Sequence, residues 1–148
     1  MLLLTRRKRN ERPYNFLGSY NFLGPYTFFG RIRLEAGVHE QACRAVGNVC
    51  RGVDAAGRAR SQRAADAGAI EAVVAAMRAH PQVARVQEYG CFALFNVCHG
   101  DEEEEASARW RRASQAGGRA AAAAAMQAYP RNTEVQRLGQ ELLEQLPE

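Results

Sequence analysis

The residues best equipped for chemistry are four cysteines and three histidines. Cys43 and Cys50 form one pair and Cys91 and Cys98 another, each pair seven residues apart. On a helix that spacing puts the two positions about 10 Å apart at ~1.5 Å per residue. Such a separation excludes a disulfide within the pair and a shared tetrahedral metal. The four read as small buried or half-buried thiols of a reducing compartment. Pairing of Cys43 with Cys91 across units is conceivable but unsupported. His39, His80 and His99 fall on different elements. Cys98 and His99 are neighbours, yet adjacent residues on a helix point about 100° apart. No acid stands at a spacing that completes a triad. The run from Asp101 to Glu105 is acidic, but contiguous carboxylates without a glycine-shaped loop make a poor calcium site. It reads as a solvated block in which Glu105 pairs with Arg109 one turn on. No glycine-rich stretch ends in the Lys-Ser/Thr of a phosphate loop. The expectation is a chain with no catalytic residue, no metal and no cofactor, and so not an enzyme.

Charge narrows the classes further. The chain has 148 residues and a formal net charge of +4. The excess comes largely from Arg6, Arg7, Lys8, Arg9 and Arg12. Basicity is therefore a property of the amino terminus rather than of the whole chain, and nucleic-acid binding is not the first expectation. It is the alternative one, through the basic tail and the aromatics interleaved at 14–29. Four apolar residues at the start are too few for a signal peptide, and no stretch approaches the ~20 of a membrane span. The default is a cytoplasmic protein, with the nucleus as the second choice.

The elements that must position these residues repeat. Val38, Ala42, Ala45, Val46 and Val49 form an i, i+4, i+7, i+8, i+11 stripe, the pattern of one helix face. The stripe recurs 48 residues on as Val86, Gly90, Ala93, Leu94 and Val97, and a further 49 on as Val135, Gly139, Leu142, Leu143 and Leu146. Before the second stripe, Gly68 punctuates the chain and Ile70, Val73, Val74 and Met77 form a shorter stripe that Pro81 ends. Gly117, Met126 and Pro130 match Gly68, Met77 and Pro81 at an offset of 49. One unit is thus a short helix, a glycine turn, a medium helix, a proline turn and a long helix. Arg51–Arg60 and Gly100–Ala108 fall between units, and Trp110 anchors the short helix of the last one. A period of this length is the signature of a helical solenoid.

Residues 1–36 differ. Their six-residue tandem, Tyr14-Asn15-Phe16-Leu17-Gly18 and its copies from Tyr20 and Tyr26, places a glycine in every copy. Glycine at that spacing opposes a helix, so residues 1–36 read as a basic, aromatic, low-complexity tail without stable order. Residues 37–148 hold the helical repeats, the first helix starting near Gly37. Two and a third units sit near the ~3 that a solenoid needs, which leaves self-association open.

Gly68, Ile70, Val73 and Val74, followed by Val86-Gln87-Glu88, Gly90, Ala93, Leu94, Asn96 and Val97, resemble the armadillo repeat. The resemblance spans about residues 37–147. The wording Ala76-Met77-Arg78-Ala79-His80-Pro81 is similar to armadillo-type repeats of leucine-rich repeat kinases and multi-repeat scaffold proteins. It implies an all-α, armadillo-like α-solenoid of three-helix units whose long helices line a concave face. It also implies a non-catalytic role in binding a protein or peptide. In peptide-binding members an asparagine near the end of each long helix holds the ligand main chain, and an aromatic often precedes it by four. Asn48 and Asn96 match the first position and Phe92 the second; Gln145, Arg44 and Glu141 depart.

Helical geometry gives the same flank. At ~100° per residue, Tyr89, Phe92, Asn96 and His99 share one side of the long helix, away from its stripe. The matching set in the first copy is Gln41, Arg44, Asn48 and Arg51, and in the third Leu138, Glu141, Gln145 and Glu148. Side by side, these would make a groove that is basic at one end, aromatic in the middle and acidic at the other. The candidate partner-binding residues are Arg44, Asn48, Arg51, Tyr89, Phe92, Asn96 and His99. The competing expectation is that Tyr89 and Phe92 simply pack against a neighbouring helix.

Overall fold

The structure, a computed structural model, describes residues 25–100 and 103–147. The basic cluster, most of the six-residue tandem, Asp101 and Glu102 lie outside the described residues, and with them the tail reading of 1–24. Every regular element among the described residues is a helix: α1 (Pro25–Val49), α2 (Ala55–Asp66), α3 (Ala69–Ala79), α4 (Ala84–Cys98), α5 (Glu103–Gln115), α6 (Gly118–Ala128) and α7 (Thr133–Gln145). None is long and apolar enough to cross a membrane.

The helix ends follow from their residues. Gly68 and Gly117 carry φ of 85° and 87° immediately before α3 and α6, a left-handed backbone that a β-carbon would strain. Asp54 caps α2, its carboxylate accepting from the Gly57 amide at 2.8 Å. Asn132 caps α7 by accepting from the amides of Glu134 and Val135, both at 3.1 Å. Each removes amide donors that a first turn leaves unpaired.

Two expectations about boundaries change. α1 begins at Pro25, not near Gly37, so residues 25–36 are helical rather than tail. Gly30 and Gly37 lower helix propensity by about 1 kcal/mol each relative to alanine, but keep their amide hydrogens. Second, the stretches placed between units are partly helical. α2 takes in Ala55–Arg60 and α5 takes in Glu103–Ala108.

The two complete units, α2–α4 and α5–α7, are built alike in detail. The Gln87 side-chain amide donates to the carbonyls of Met77 and His80 at 2.8 and 3.0 Å. Gln136 does the same to Met126 and Tyr129 at 2.8 and 3.2 Å. One carboxamide thus satisfies two carbonyls at the end of the medium helix and pins the long helix to it. Gly90 and Gly139 sit under the thioether chains of Met77 and Met126, where a β-carbon would overlap. The long-helix stripes are buried accordingly: Val86, Ala93, Leu94 and Val97 in α4, and Val135, Leu142 and Leu146 in α7.

Units meet through their long helices, α4 touching both α1 and α7. Cys43 and Cys50 bury the opposite side of α1 against the second unit, and Cys91 and Cys98 that of α4 against the third; all four thiols are free. Burial pushes Cys43 up to about 11 and Cys91 and Cys98 up to about 12. Arginines of the following unit close the long-helix ends. Arg60 donates to the Val49 carbonyl at 2.6 Å and Arg109 to that of His99 at 3.4 Å, favourable placements for cations at the negative end of a helix. At α7, Arg119 does this from within the same unit, donating to Leu143 and Leu146 at 3.0 and 2.8 Å. Its place in the repeat is that of the fully buried Ile70.

The first stripe is the exception. Val38, Ala42, Ala45 and Val49 are exposed and Val46 is half-buried. The face of α1 that packs is the other one, Ala36, Cys43 and Gly47, continued by Cys50 just past its end.

Candidate functional site

α1 and α4 cross where Gly47 has no side chain. A β-carbon there would overlap the Phe92 ring and lie 3.4 Å from the Ala93 backbone. Phe92 is thus a half-buried wedge between two helices, and the packing expectation accounts for its position. Arg44 stands one turn before Gly47 and Asn48 one residue after it, both exposed. Arg51 is also exposed but lies beyond the end of α1.

On α4, Tyr89 is half-buried, with the Arg85 guanidinium 5.9 Å from its ring centroid. The half-buried Asn96 turns its amide back onto its own helix, donating to the Phe92 carbonyl at 2.8 Å. That leaves its oxygen to accept from a ligand, while one amide hydrogen is engaged. His99 is exposed and stacks on Phe95, ring centroids 5.0 Å apart and planes inclined by 14°. Phe95 in turn meets the buried Trp110 edge-on at 6.3 Å, so α5 is anchored by its tryptophan as expected, although at 13 residues it is longer than the 11-residue α6 and is not the short helix of its unit.

At the α4–α7 seam a cleft of about 440 Å³ opens. Phe95 from α4 and His99 just past its end, Ser107 and Trp110 from α5, and Glu141, Glu144 and Gln145 from α7 line it. An aromatic floor and a carboxylate rim are thereby juxtaposed. Glu141 of that rim is paired with Arg137, which also holds Glu134, at 2.8 Å each.

The structure therefore joins the predicted residues in two groups. Arg44, Asn48 and Phe92 border the α1–α4 seam. His99 joins Glu141 and Gln145, the residues at matching places in the third copy, at the α4–α7 seam. Leu138, from the same third-copy set, is buried and takes no part. Phe95 and Trp110 were missed as lining residues, because their apolarity reads only as core.

A polar contact that spacing alone did not reveal lies at the other side of the units. His80 Nε2 stands 3.0 Å from His39 Nδ1, which is also 2.8 Å from the Glu35 carbonyl. Burial, then the charge of His39, holds His80 below the ordinary histidine range, with Glu35 opposing. Among the described residues no group of histidines, cysteines and acids could hold a metal ion.

No protein-family profile, no curated protein and no solved structure matches this chain.

Proposed function

We propose that this chain is an armadillo-like α-solenoid that serves as a non-catalytic interaction module. It binds an extended segment of a partner protein along the outward flanks of α1, α4 and α7. The observation that carries this reading is the cleft at the α4–α7 seam. His99, Glu141 and Gln145 line it together, and the period of the sequence assigns all three to the same flank. Flat aromatic surface beside fixed polar groups is the composition of an anchoring site.

The groove has two working parts on this reading. The α4–α7 cleft takes a side chain, with Phe95 and His99 beneath it and Gln145 offering both a donor and an acceptor. Arg44 and Asn48 hold the segment further along, where an acidic residue of the partner would meet Arg44. Phe92 keeps the α1–α4 seam closed.

Binding to a peptide array, read for the wild type and for His99→Ala with Gln145→Ala, tests the proposal. Both residues are exposed, so the double variant keeps its circular dichroism spectrum. Loss of the bound peptides supports the groove. Undiminished binding by the double variant, or an array on which the wild type selects nothing, rejects it.

A further inference from the structure

We infer that the exposed stripe of α1 is a second docking surface, and that its occupant is an amphipathic helix of a partner polypeptide built like α3. The stripe is written three times in the chain and covered twice. In α4 and α7 it is buried beneath α3 and α6; in α1, among the described residues, Val38, Ala42, Ala45 and Val49 are left exposed and Val46 is half-buried. Val38 and Val49, at its two ends, are 67% and 54% exposed and are among the most exposed large hydrophobic residues described. A contiguous apolar face of this kind marks an interaction site more often than a scatter of single residues does.

The two ends of the chain's packing are not equivalent, and the difference argues that the exposed face is built to be covered. α7 turns outward the places that Cys91 and Cys98 occupy in α4. There it carries the exposed Gln140 and is followed by the exposed Pro147, and Arg119 closes its end. Those places carry a polar residue and a proline where α4 has two buried thiols. α1 turns outward valine and alanine instead.

The fold itself states what fits. The α3–α4 and α6–α7 interfaces place an aliphatic helix on this stripe, with Ile70, Val73, Val74 and Met77 at i, i+3, i+4 and i+7 in α3. Their shared detail is a methionine laid across a glycine, Met77 over Gly90 and Met126 over Gly139. α1 has Ala42 at that place, small enough to admit a long flexible side chain such as methionine. The α1 stripe continues this established interface by one step. A helix of about three turns with large aliphatic residues at those spacings is its complement.

The test titrates the full chain with a fluorescent peptide of residues 68–81, stapled across positions 71 and 75, which face solvent in α3. Saturable binding is expected, weakened about tenfold or more by Val38→Glu with Val49→Glu in the protein and by Val74→Asp in the peptide. Both protein substitutions are at exposed sites, so helicity and the thermal midpoint stay unchanged. Absence of binding up to the solubility limit of the peptide, or equal binding by the double variant, overturns the proposal. So does a concentration-dependent dimer that the double variant dissolves, which assigns the face to a second copy. Binding that appears only after deletion of residues 1–24 also overturns it and assigns the face to the chain's own amino terminus.

Discussion

His80 and His39, 41 residues apart in sequence, meet nitrogen to nitrogen at 3.0 Å. The contact ties the proline turn of the second unit to α1. In the next unit the matching residue, Tyr129, ties back to the preceding proline turn instead, its hydroxyl donating to the Pro81 carbonyl at 3.2 Å. A histidine pair serves only while at least one ring is neutral, since two imidazolium groups at that distance repel.

The first prediction follows from the depressed proton affinity of His80. Burial is the main cause, repulsion from His39 adds to it, and the Glu35 carboxylate works against both. The unfolded chain takes up a proton near the ordinary value of ~6.5, where the native chain resists. The stability this group contributes is therefore present above that pH and is lost as pH falls through the lower native value. Urea midpoints of the wild type should drop between neutral pH and pH ~5. His39→Gln, the residue found at the matching places 87 and 136, should flatten that drop. An equally steep pH dependence in the variant would show that the pair contributes nothing.

The second prediction concerns the wedge at Gly47. Alanine favours a helix interior over glycine by about 1 kcal/mol, yet Gly47→Ala should destabilise, because its methyl group overlaps the Phe92 ring. Overpacking of this kind costs about 1–3 kcal/mol. Phe92→Ala should cost about 2–3 kcal/mol, below the range for a fully buried ring because Phe92 is half-buried. The two residues touch, so the double variant should be less destabilised than the sum of the singles. Denaturant unfolding of the four proteins provides the cycle.

Sequence periodicity captured what is local. The glycine turns at 68 and 117, the proline stops at 81 and 130, the α4 and α7 stripes and the anchoring Trp110 all come from residues a few positions apart, where helix geometry is decisive. It placed Val38, Ala42, Ala45 and Val49 in the same class as their buried counterparts. A stripe tells that a helix has an apolar face; it carries no information on whether another element lies against it. The early start of α1 was hidden for a different reason. Helix growth is cooperative, so an established helix runs through weak residues that would not begin one. For the site, spacing put His99, Glu141 and Gln145 on one flank. Packing of the groove's aromatic against a neighbouring helix was the competing expectation, but spacing could not name Gly47 as the place, because that contact joins residues 45 positions apart.

The third prediction addresses why Arg119 stands where the second unit has Ile70. Its guanidinium donates to two carbonyls at the end of α7, charge-assisted bonds whose loss leaves those acceptors unpaired. Arg119→Ala should cost about 1–2 kcal/mol, part of it from the lost helix-end charge. Arg119→Ile restores the apolar residue of the second unit, yet should rescue little, because no following unit supplies an arginine in its place among the described residues. Amide exchange should rise in α7 for both variants and stay unchanged in α4. Uniform loss of protection across the chain would show instead that Arg119 serves the core as a whole.

The fourth prediction separates buried thiols from reactive ones. Burial raises Cys91 and Cys98 from 9.0 to about 12 and Cys43 to about 11. Cys50 is also raised, against the pull of its hydrogen bond with Ser61 and of Arg60 and Arg109. The thiolate is the attacking species, so the raised proton affinity leaves far fewer of them at pH 8 than an exposed cysteine has. Access is closed as well, since all four cysteines are buried. A disulfide reagent at pH 8 should therefore label the folded protein only as fast as it opens, and label all four in denaturant. Cys43 reports on the α1–α4 seam, so Gly47→Ala should speed its labelling ahead of Cys91 and Cys98. Rapid labelling of folded wild-type protein at Cys98 would mean that its thiol is activated beside His99, and would return the Cys98–His99 pair to consideration as chemistry.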